Sequence, residues 1–239
     1  MKFHGQVANN YLRLHEEVNE KLVLCGRNPG EVRVILVAKH QAIENINAAI
    51  EAGAQDFAEN YPEQLLPKLP LLQNIAIIRW HMIGHVQSRK AGLVMENFDY
   101  LHSMDSLRLA RLIEAHQMGG KPQLPVLLEI NLGGEATKSG YKVGTTREYD
   151  MLVKDIQGMQ QLSHLSLKGL MTMPPYTSDG KTSRVYFIQL RRLLDKINHS
   201  IPGLKLTELS MGTSQDYLVA IEEGATFIRI GTRVFGERK

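Results

Sequence analysis

The chain contains very little cysteine, since Cys25 is the only one among its 239 residues. A single cysteine cannot form an internal disulfide, so nothing here indicates an oxidising compartment. The first ten residues include Lys2, His4 and two asparagines, and they lack the apolar core of a signal peptide. No stretch approaches the about 18 apolar residues of a membrane span. These absences predict a cytoplasmic chain that does not cross a membrane.

The chain also has no large excess of positive or negative charge. The formal net charge is +3, no block of lysine and arginine occurs, and aromatic residues make up only 6% of the chain. Nucleic-acid-binding proteins usually carry a basic patch interleaved with aromatic side chains, so this class of partner is not expected. The hydrophobic fraction of 43% and the charged fraction of 22% are ordinary for a globular protein with a sizeable core.

What the sequence does contain is a regular alternation of helical patterns and short apolar runs. An amphipathic helix is predicted at about residues 5–27, because apolar residues recur there every three or four positions until Asn28-Pro29-Gly30. Eight runs then resemble buried strands with helical segments between them: Val32–Ala38, Asp56–Ala58, Ile77–Ile83, Tyr100–His102, Val126–Asn131, Leu167–Met171, Leu206–Leu209 and Thr226–Ile230.

Eight βα units favour a single α/β barrel of the (β/α)₈ TIM type over an open doubly wound sheet. We therefore predict one domain over residues 1–239, with the N-terminal helix packed on the barrel. The polar, glycine-rich segment from Gly133 to Thr146 interrupts the pattern. It is either a lid or a surface insertion.

Ligands bind at the C-terminal ends of barrel strands, so the residues that follow each apolar run are candidates. Lys39 ends the first strand, where burial would favour the neutral, nucleophilic amine; the alternative is a solvated strand end. Asn60 follows the second strand and is either a donor to a phenolic oxygen or a helix cap. His85 lies nearer the mouth and could contact a ligand, whereas His81 is expected inside the barrel. Their spacing on a strand, without a third ligand, predicts no metal site.

Two glycine-centred turns follow the last two strands. One is Ser210–Ser214 with Gly212 at its centre, and the other is Gly231-Thr232. Small residues and hydroxyls at this edge suit a phosphate group, although ordinary turns and caps explain them equally well.

Arg229 shares a strand face with Phe227 and Gly231, because side chains alternate along a strand. A buried arginine needs an acceptor. Either Glu59 or Glu208 serves as its structural partner, or it faces the pyridine nitrogen of a ligand.

These residues occur in an order that closely resembles the pyridoxal phosphate homeostasis protein family, over nearly the whole chain from about Val32 to Arg238. The resemblance rests on Lys39; Glu59-Asn60-Tyr61; Trp80 to Ser88 with Lys90; His102 to Ser106; Asn131; Lys138-Ser139-Gly140; Gly169-Leu170-Met171; Leu209 to Ser214; Arg229 to Thr232; and Phe235 to Arg238. Each short motif is weak alone, and the combination is specific.

The resemblance implies a barrel of the alanine racemase N-terminal domain type that holds pyridoxal 5′-phosphate (PLP) as a Schiff base on Lys39. It implies that the phosphate group contacts Ser210, Gly212, Gly231 and Thr232. It also implies that the guanidinium of Arg229 faces the pyridine nitrogen. It also implies a carrier or regulator in intracellular vitamin B6 homeostasis without robust catalysis, with PLP-dependent apoenzymes as candidate recipients. Separately, we expect a monomer, because the sequence pattern predicts no additional dimerisation domain.

Two departures from the family pattern stand out. A Thr-Lys-Pro run usually follows the lysine, and here the residues are His40-Gln41-Ala42. The missing second lysine puts in doubt any PLP exchange that used it. Ala58 stands where glycine is usual, which is a small change.

Two other functions stay open. One is a PLP-dependent amino-acid racemase-like enzyme; racemases of this type take a tyrosine base from a separate β-domain, which is not expected here. The other is a barrel that binds a different phosphorylated metabolite without a Schiff base.

Overall fold

The computed structural model describes residues 2–116, 122–135, 137–175 and 180–237. Arg238, which belongs to the last motif, and Ala136, in the segment from Gly133 to Thr146, lie outside them. Within the described ranges, no helix combines the length and the apolar composition that a bilayer crossing requires.

Eight parallel strands close into a barrel in sequence order, and the first strand pairs with the last. The strands are β1 Arg33–Val37, β2 Asp56–Glu59, β3 Arg79–Met82, β4 Tyr100–Met104, β5 Leu124–Ile130, β6 Leu165–Thr172, β7 Glu208–Thr213 and β8 Phe227–Ile230. This confirms the predicted single barrel.

The helices form the outer ring. They are α1 Lys2–Leu24, α2 Ile43–Glu51, α3 Ala91–Asn97, α4 Leu107–Glu114, α5 Thr146–Met159, α6 Arg184–Ser200, α7 Tyr217–Glu222 and α8 Thr232–Phe235. The first helix packs on α2, on α7 and on α8, which is the short helix that follows the last strand. Its buried stripe is the one that the spacing predicts, from Val7 to Leu22.

One predicted helical segment is wrong. Between β2 and β3 the described chain forms three short 3₁₀ turns, Pro62–Gln64, Leu69–Leu71 and Ile75–Ile77, and no α-helix. Prolines recur at positions 62, 67 and 70. A proline inside a helix removes a backbone hydrogen bond and clashes with the preceding turn, so this segment cannot continue an α-helix.

The seventh strand also lies later than predicted. The predicted strand ends at Leu209, but β7 runs from Glu208 to Thr213. Ser210 and Gly212 therefore belong to the barrel wall, and the turn that follows begins only after Thr213.

Side chains of alternate strand positions fill the barrel interior. Its apolar part consists of Ile35, Ala58, Tyr100, Leu127, Met171 and Phe227. Ala58 is fully buried there, so the methyl group that replaces the usual glycine hydrogen adds to the interior packing. A second, larger core fills the space between the strands and the helices.

Candidate functional site

A cavity of about 430 Å³ opens at the C-terminal mouth of the barrel. Its lining comes from most of the strands and the loops after them: Val37, Lys39, Asn60, Ile83, Glu129, Met171, Met173, Thr213, Ser214, Gln215, Arg229, Gly231 and Thr232. Five of the eight predicted site residues are thus brought together, namely Lys39, Asn60, Arg229, Gly231 and Thr232. The other three, His85, Ser210 and Gly212, do not line it.

Lys39 is half-buried two residues beyond β1, at the edge of the cavity. The peptide before it is fixed on both sides, since Ala38 N donates to Ala58 O (2.9 Å) and Lys68 Nζ donates to Ala38 O (2.8 Å). His40 then turns the chain away in the left-handed region, with φ of 59°. Lys68 also pairs with the fully buried Glu59. The backbone that carries Lys39 is therefore held rigidly.

Arg229 is 4% exposed and lines the inner end of the cavity. Its Nη1 donates to Ser210 Oγ (2.6 Å) and its Nη2 donates to Thr172 O (2.8 Å). Burial lowers the pKa of Arg229 from 12.5 to about 10, so the guanidinium is still charged at neutral pH. It is a buried cation whose described hydrogen bonds all go to neutral acceptors.

The carboxylate partners expected for Arg229 are therefore wrong. Glu59 pairs with Lys68, and Glu208 accepts hydrogen bonds from Arg33 and Tyr100 at the other end of the barrel. Glu59 follows Phe57 on the outer face of the sheet, because the alternate residue, Ala58, points inward. The hydrogen-bond acceptors of Arg229 come instead from strands β6 and β7, which the closed barrel brings close to it.

Glu129 is a site residue that the sequence analysis missed. It lines the same cavity, two positions after the inward-facing Leu127, and its Oε2 is buried without a partner in the described chain. Burial, and next the negative charge of Asp105, raise the pKa of Glu129 to about 7. A lone carboxylate that alternates with an inward-facing residue in an otherwise apolar strand is the signal that could have identified it.

The loops after β7 and β8, for which the sequence predicts a phosphate site, form one end of the cavity. Gly231 N donates to Ser214 Oγ (3.2 Å), which ties the two loops together. Ser210 lies deeper, fully buried, with its hydroxyl between Arg229 and His102. Its side chain supports Arg229 rather than the rim of the cavity.

Gly212 is required for the structure of the barrel wall. Its φ is +91°, and an added Cβ would lie 2.6 Å from Ala220 Cβ on α7. Glycine is needed here for both the backbone conformation and the close approach of the helix.

Asn60 borders the cavity, and its Oδ1 is buried without a hydrogen-bond partner among the residues described. The cap alternative is wrong, because the 3₁₀ turn that follows is preceded by Tyr61 and has no side-chain cap. His85 is instead exposed. Its Nδ1 lies 3.1 Å from Ser139 Oγ and 3.1 Å from Asp105 Oδ2, beside a separate cavity of about 150 Å³ that Asn60 also borders.

Hydrogen bonds hold the described residues of the segment from Gly133 to Thr146 against the top of the barrel. Tyr141 N donates to Glu129 O (2.8 Å), and Lys138 Nζ donates to Met173 O and Pro174 O (3.3 and 3.2 Å). Thr145 then caps the N-terminus of α5 and forms a capping box with Glu148. No group of three or more potential metal ligands occurs in the described ranges.

Comparisons with known proteins agree with this architecture. The family model described as "Alanine racemase, N-terminal domain" matches residues 29–239. The chain is 36% identical to the Pyridoxal phosphate homeostasis protein of Pseudomonas aeruginosa, over 97% of this chain and 96% of that one. It is 42% identical to the protein of the same name from Synechocystis, over 88% and 93%.

Solved structures give a similar result. PipY of Synechococcus elongatus, solved with PLP bound, superimposes with a TM-score of 0.79 at 31% identity and covers 92% of this chain and 100% of that one. Alanine racemase of Clostridium difficile has a TM-score of 0.70 at 14% identity. This chain spans 56% of the length of that racemase, so the likeness shows the fold of one part of it.

Proposed function

The chain belongs to the pyridoxal phosphate homeostasis protein family, and on this premise we propose that it binds PLP in the barrel-mouth cavity, covalently through Lys39. We further propose that it acts in intracellular PLP homeostasis as a carrier or regulator without robust catalysis. The names of the relatives and the PLP-bound PipY structure support the ligand. The covalent link and the carrier role rest on the geometry of the cavity.

The observation that carries the proposal is that Lys39, Arg229 and the tied loops at Ser214 and Gly231 border one cavity. These groups fit PLP by their chemistry. A half-buried primary amine suits its aldehyde, a charged donor suits its pyridine nitrogen, and hydroxyls with backbone N–H groups suit its phosphate. The unpartnered amide of Asn60 leaves hydrogen-bonding capacity for a further polar group of a ligand.

Lys39 would hold PLP through its amine, and the bound cofactor would supply an aldehyde group and a ring that withdraws electrons. Arg229 limits the second property. Its guanidinium can only donate hydrogen bonds and stays charged at neutral pH, so a pyridine nitrogen that accepted from it would stay unprotonated. An unprotonated ring is a poorer electron sink, which favours holding the cofactor over catalysing with it.

The test is an absorbance spectrum of the purified protein after incubation with PLP, followed by borohydride reduction and peptide mass mapping. We expect a yellow protein with the reduced pyridoxyl mass on Lys39. A protein that takes up no PLP would overturn the binding proposal. An adduct on another lysine would overturn only the site assignment.

A racemase-like activity is a second candidate, and Glu129 is the observation that favours it. A carboxyl group whose pKa lies near 7 in the same cavity as Lys39 has the properties of a general base. Loss of the α-proton of an amino acid in deuterated water, followed by NMR, separates the two functions. Exchange that disappears in Glu129→Gln would support an enzyme, and absence of exchange in the PLP-loaded protein supports a carrier.

A further inference from the structure

A continuous row of polar side chains crosses the otherwise apolar barrel interior. Asp56 Oδ1 lies 2.9 Å from His81 Nε2, and His81 Nδ1 lies 2.9 Å from His102 Nε2. His102 Nδ1 lies 2.9 Å from Ser210 Oγ, which accepts from Arg229 Nη1 at 2.6 Å. The row begins at the N-terminal end of β2 and ends at the cavity, so it spans the barrel from one end to the other.

The Asp56 end of the row is a carboxylate. Burial alone would raise its pKa, but hydrogen bonds from Arg79 and His81 hold the pKa of Asp56 well below its usual range. Arg79 Nε donates to Oδ1 (2.8 Å) and Nη2 donates to Oδ2 (2.7 Å). An ionised carboxylate can only accept hydrogen bonds. His81 Nε2 must therefore carry a proton.

The positions of the other protons along the row follow from this. Burial lowers the pKa of both rings, and that of His102 lies well below its usual value, so both rings are neutral at neutral pH. A neutral His81 with a proton on Nε2 presents Nδ1 as an acceptor, so His102 Nε2 must donate to it. His102 Nδ1 is then an acceptor, and the Ser210 hydroxyl donates to it.

One arrangement alone satisfies every contact. Ser210 donates to His102 and accepts from Arg229, so each dipole along the row turns its acceptor side toward the guanidinium. This orientation matters because the described hydrogen bonds of Arg229 go only to neutral groups. A chain of aligned hydrogen bonds in a low-dielectric interior strengthens each member.

We propose that Asp56, His81, His102 and Ser210 form a one-directional hydrogen-bond chain that positions Arg229 in the cavity. The four are positioning residues, because only Arg229 reaches the cavity. The existence of the chain is independent of the proposed function, whereas its effect on PLP rests on that function.

The chain is tested first in the ligand-free protein. In ¹⁵N-labelled protein at neutral pH, we expect the imidazole NMR signals of His81 and His102 to show neutral rings protonated on Nε2. An imidazolium at either position, or a neutral ring protonated on Nδ1, would contradict the assigned proton positions and overturn the proposal.

The effect on Arg229 is tested with Ser210→Ala and a matched control, Ser103→Ala. Ser103 is equally buried, and its hydroxyl donates to Gly84 O (2.6 Å) outside the chain. We expect the NMR signal of the Arg229 side chain to move in the first variant and to stay in the second. Unchanged Arg229 signals in Ser210→Ala would refute the positioning role.

The same pair of variants reports on the ligand. Ser210→Ala should weaken PLP binding about tenfold and shift the absorbance of bound PLP, because a hydrogen bond to a charged group is lost. Ser103→Ala should bind PLP within about twofold of the wild type. Equal affinities and spectra in both would overturn the effect on PLP. If the wild type bound no PLP, the proposed function would fail, and the NMR experiments would still decide on the chain.

Discussion

Replacing Arg229 by methionine should remove much of the PLP affinity while leaving the stability of the ligand-free protein nearly unchanged. Burial lowers the pKa of Arg229 from 12.5 to about 10. This difference of about 2.5 opposes folding of the charged form by about 3 kcal/mol at neutral pH. The hydrogen bonds to Ser210 Oγ and Thr172 O return about 1.5 kcal/mol each. The two effects nearly cancel, so the free energy of unfolding should change by less than about 1 kcal/mol.

Arg79→Met is the matched control with the opposite expectation. Arg79 donates two hydrogen bonds to the buried Asp56, and its removal leaves that carboxylate with His81 alone. Removing one partner of a buried ion pair is costly, and we expect a loss of about 2–4 kcal/mol because Arg79 is itself partly exposed.

Urea unfolding of both ligand-free variants gives the free energies, and titration with PLP gives the affinities. A decrease of more than about 3 kcal/mol in the free energy of unfolding of Arg229→Met would refute the reasoning that the hydrogen bonds of Arg229 merely offset the cost of burying its charge.

Two further predictions concern the lysine and the glycine of the barrel. Lys39→Ala should lose borohydride-fixable PLP and keep its fold, whereas Lys142→Ala, outside the PLP cavity, should keep the adduct; mass mapping and circular dichroism report both. Gly212→Ala should lower the free energy of unfolding by about 2–4 kcal/mol, because it combines φ of +91° with a contact of 2.6 Å to Ala220 Cβ. Gly134→Ala, with φ of +68° and open space around it, should cost about 1 kcal/mol in the same urea assay. Equal losses in the two glycine variants would contradict the packing argument.

The barrel could be predicted from the sequence because its signals are local. Each strand is a short apolar run, and alternation along β8 already places Phe227, Arg229 and Gly231 on one face. Residues that end such runs meet at the barrel mouth in this topology, which is why Lys39 and Arg229 were identifiable before any contact was known.

Features that depend on contacts between strands were not predictable. Serine and glycine favour strands weakly, so the pattern ended the seventh strand at Leu209 although β7 continues to Thr213. The acceptors of Arg229 come from β6 and β7, more than 15 positions earlier in the chain, and no local pattern reports them. The carboxylates Glu59 and Glu208 were plausible partners by charge alone, but Glu59 pairs with Lys68 on the outer face of the sheet and Glu208 lies at the other end of the barrel.

Glu129→Gln tests whether the carboxyl group at the cavity mouth titrates near neutral pH. Burial, and next the charge of Asp105, raise the pKa of Glu129 from 4.5 to about 7. Because the folded-state pKa lies above the unfolded one, the protonated form stabilises the fold. This contribution is fully present below about pH 4.5 and is lost as the pH rises through about 7. The loss amounts to at most about 3 kcal/mol.

The wild type should therefore become less stable between about pH 5 and pH 8, and Glu129→Gln should lack this component of the slope. The two proteins should be similar at the lower pH, and the variant should be the more stable one at the higher pH. Glu16→Gln, at an exposed position on α1, is the control and should follow the wild type. Urea unfolding across this range measures all three. Parallel curves of unfolding free energy against pH for the wild type and Glu129→Gln would mean that Glu129 is already ionised at low pH. Glu129 would then no longer be a candidate general base in the cavity.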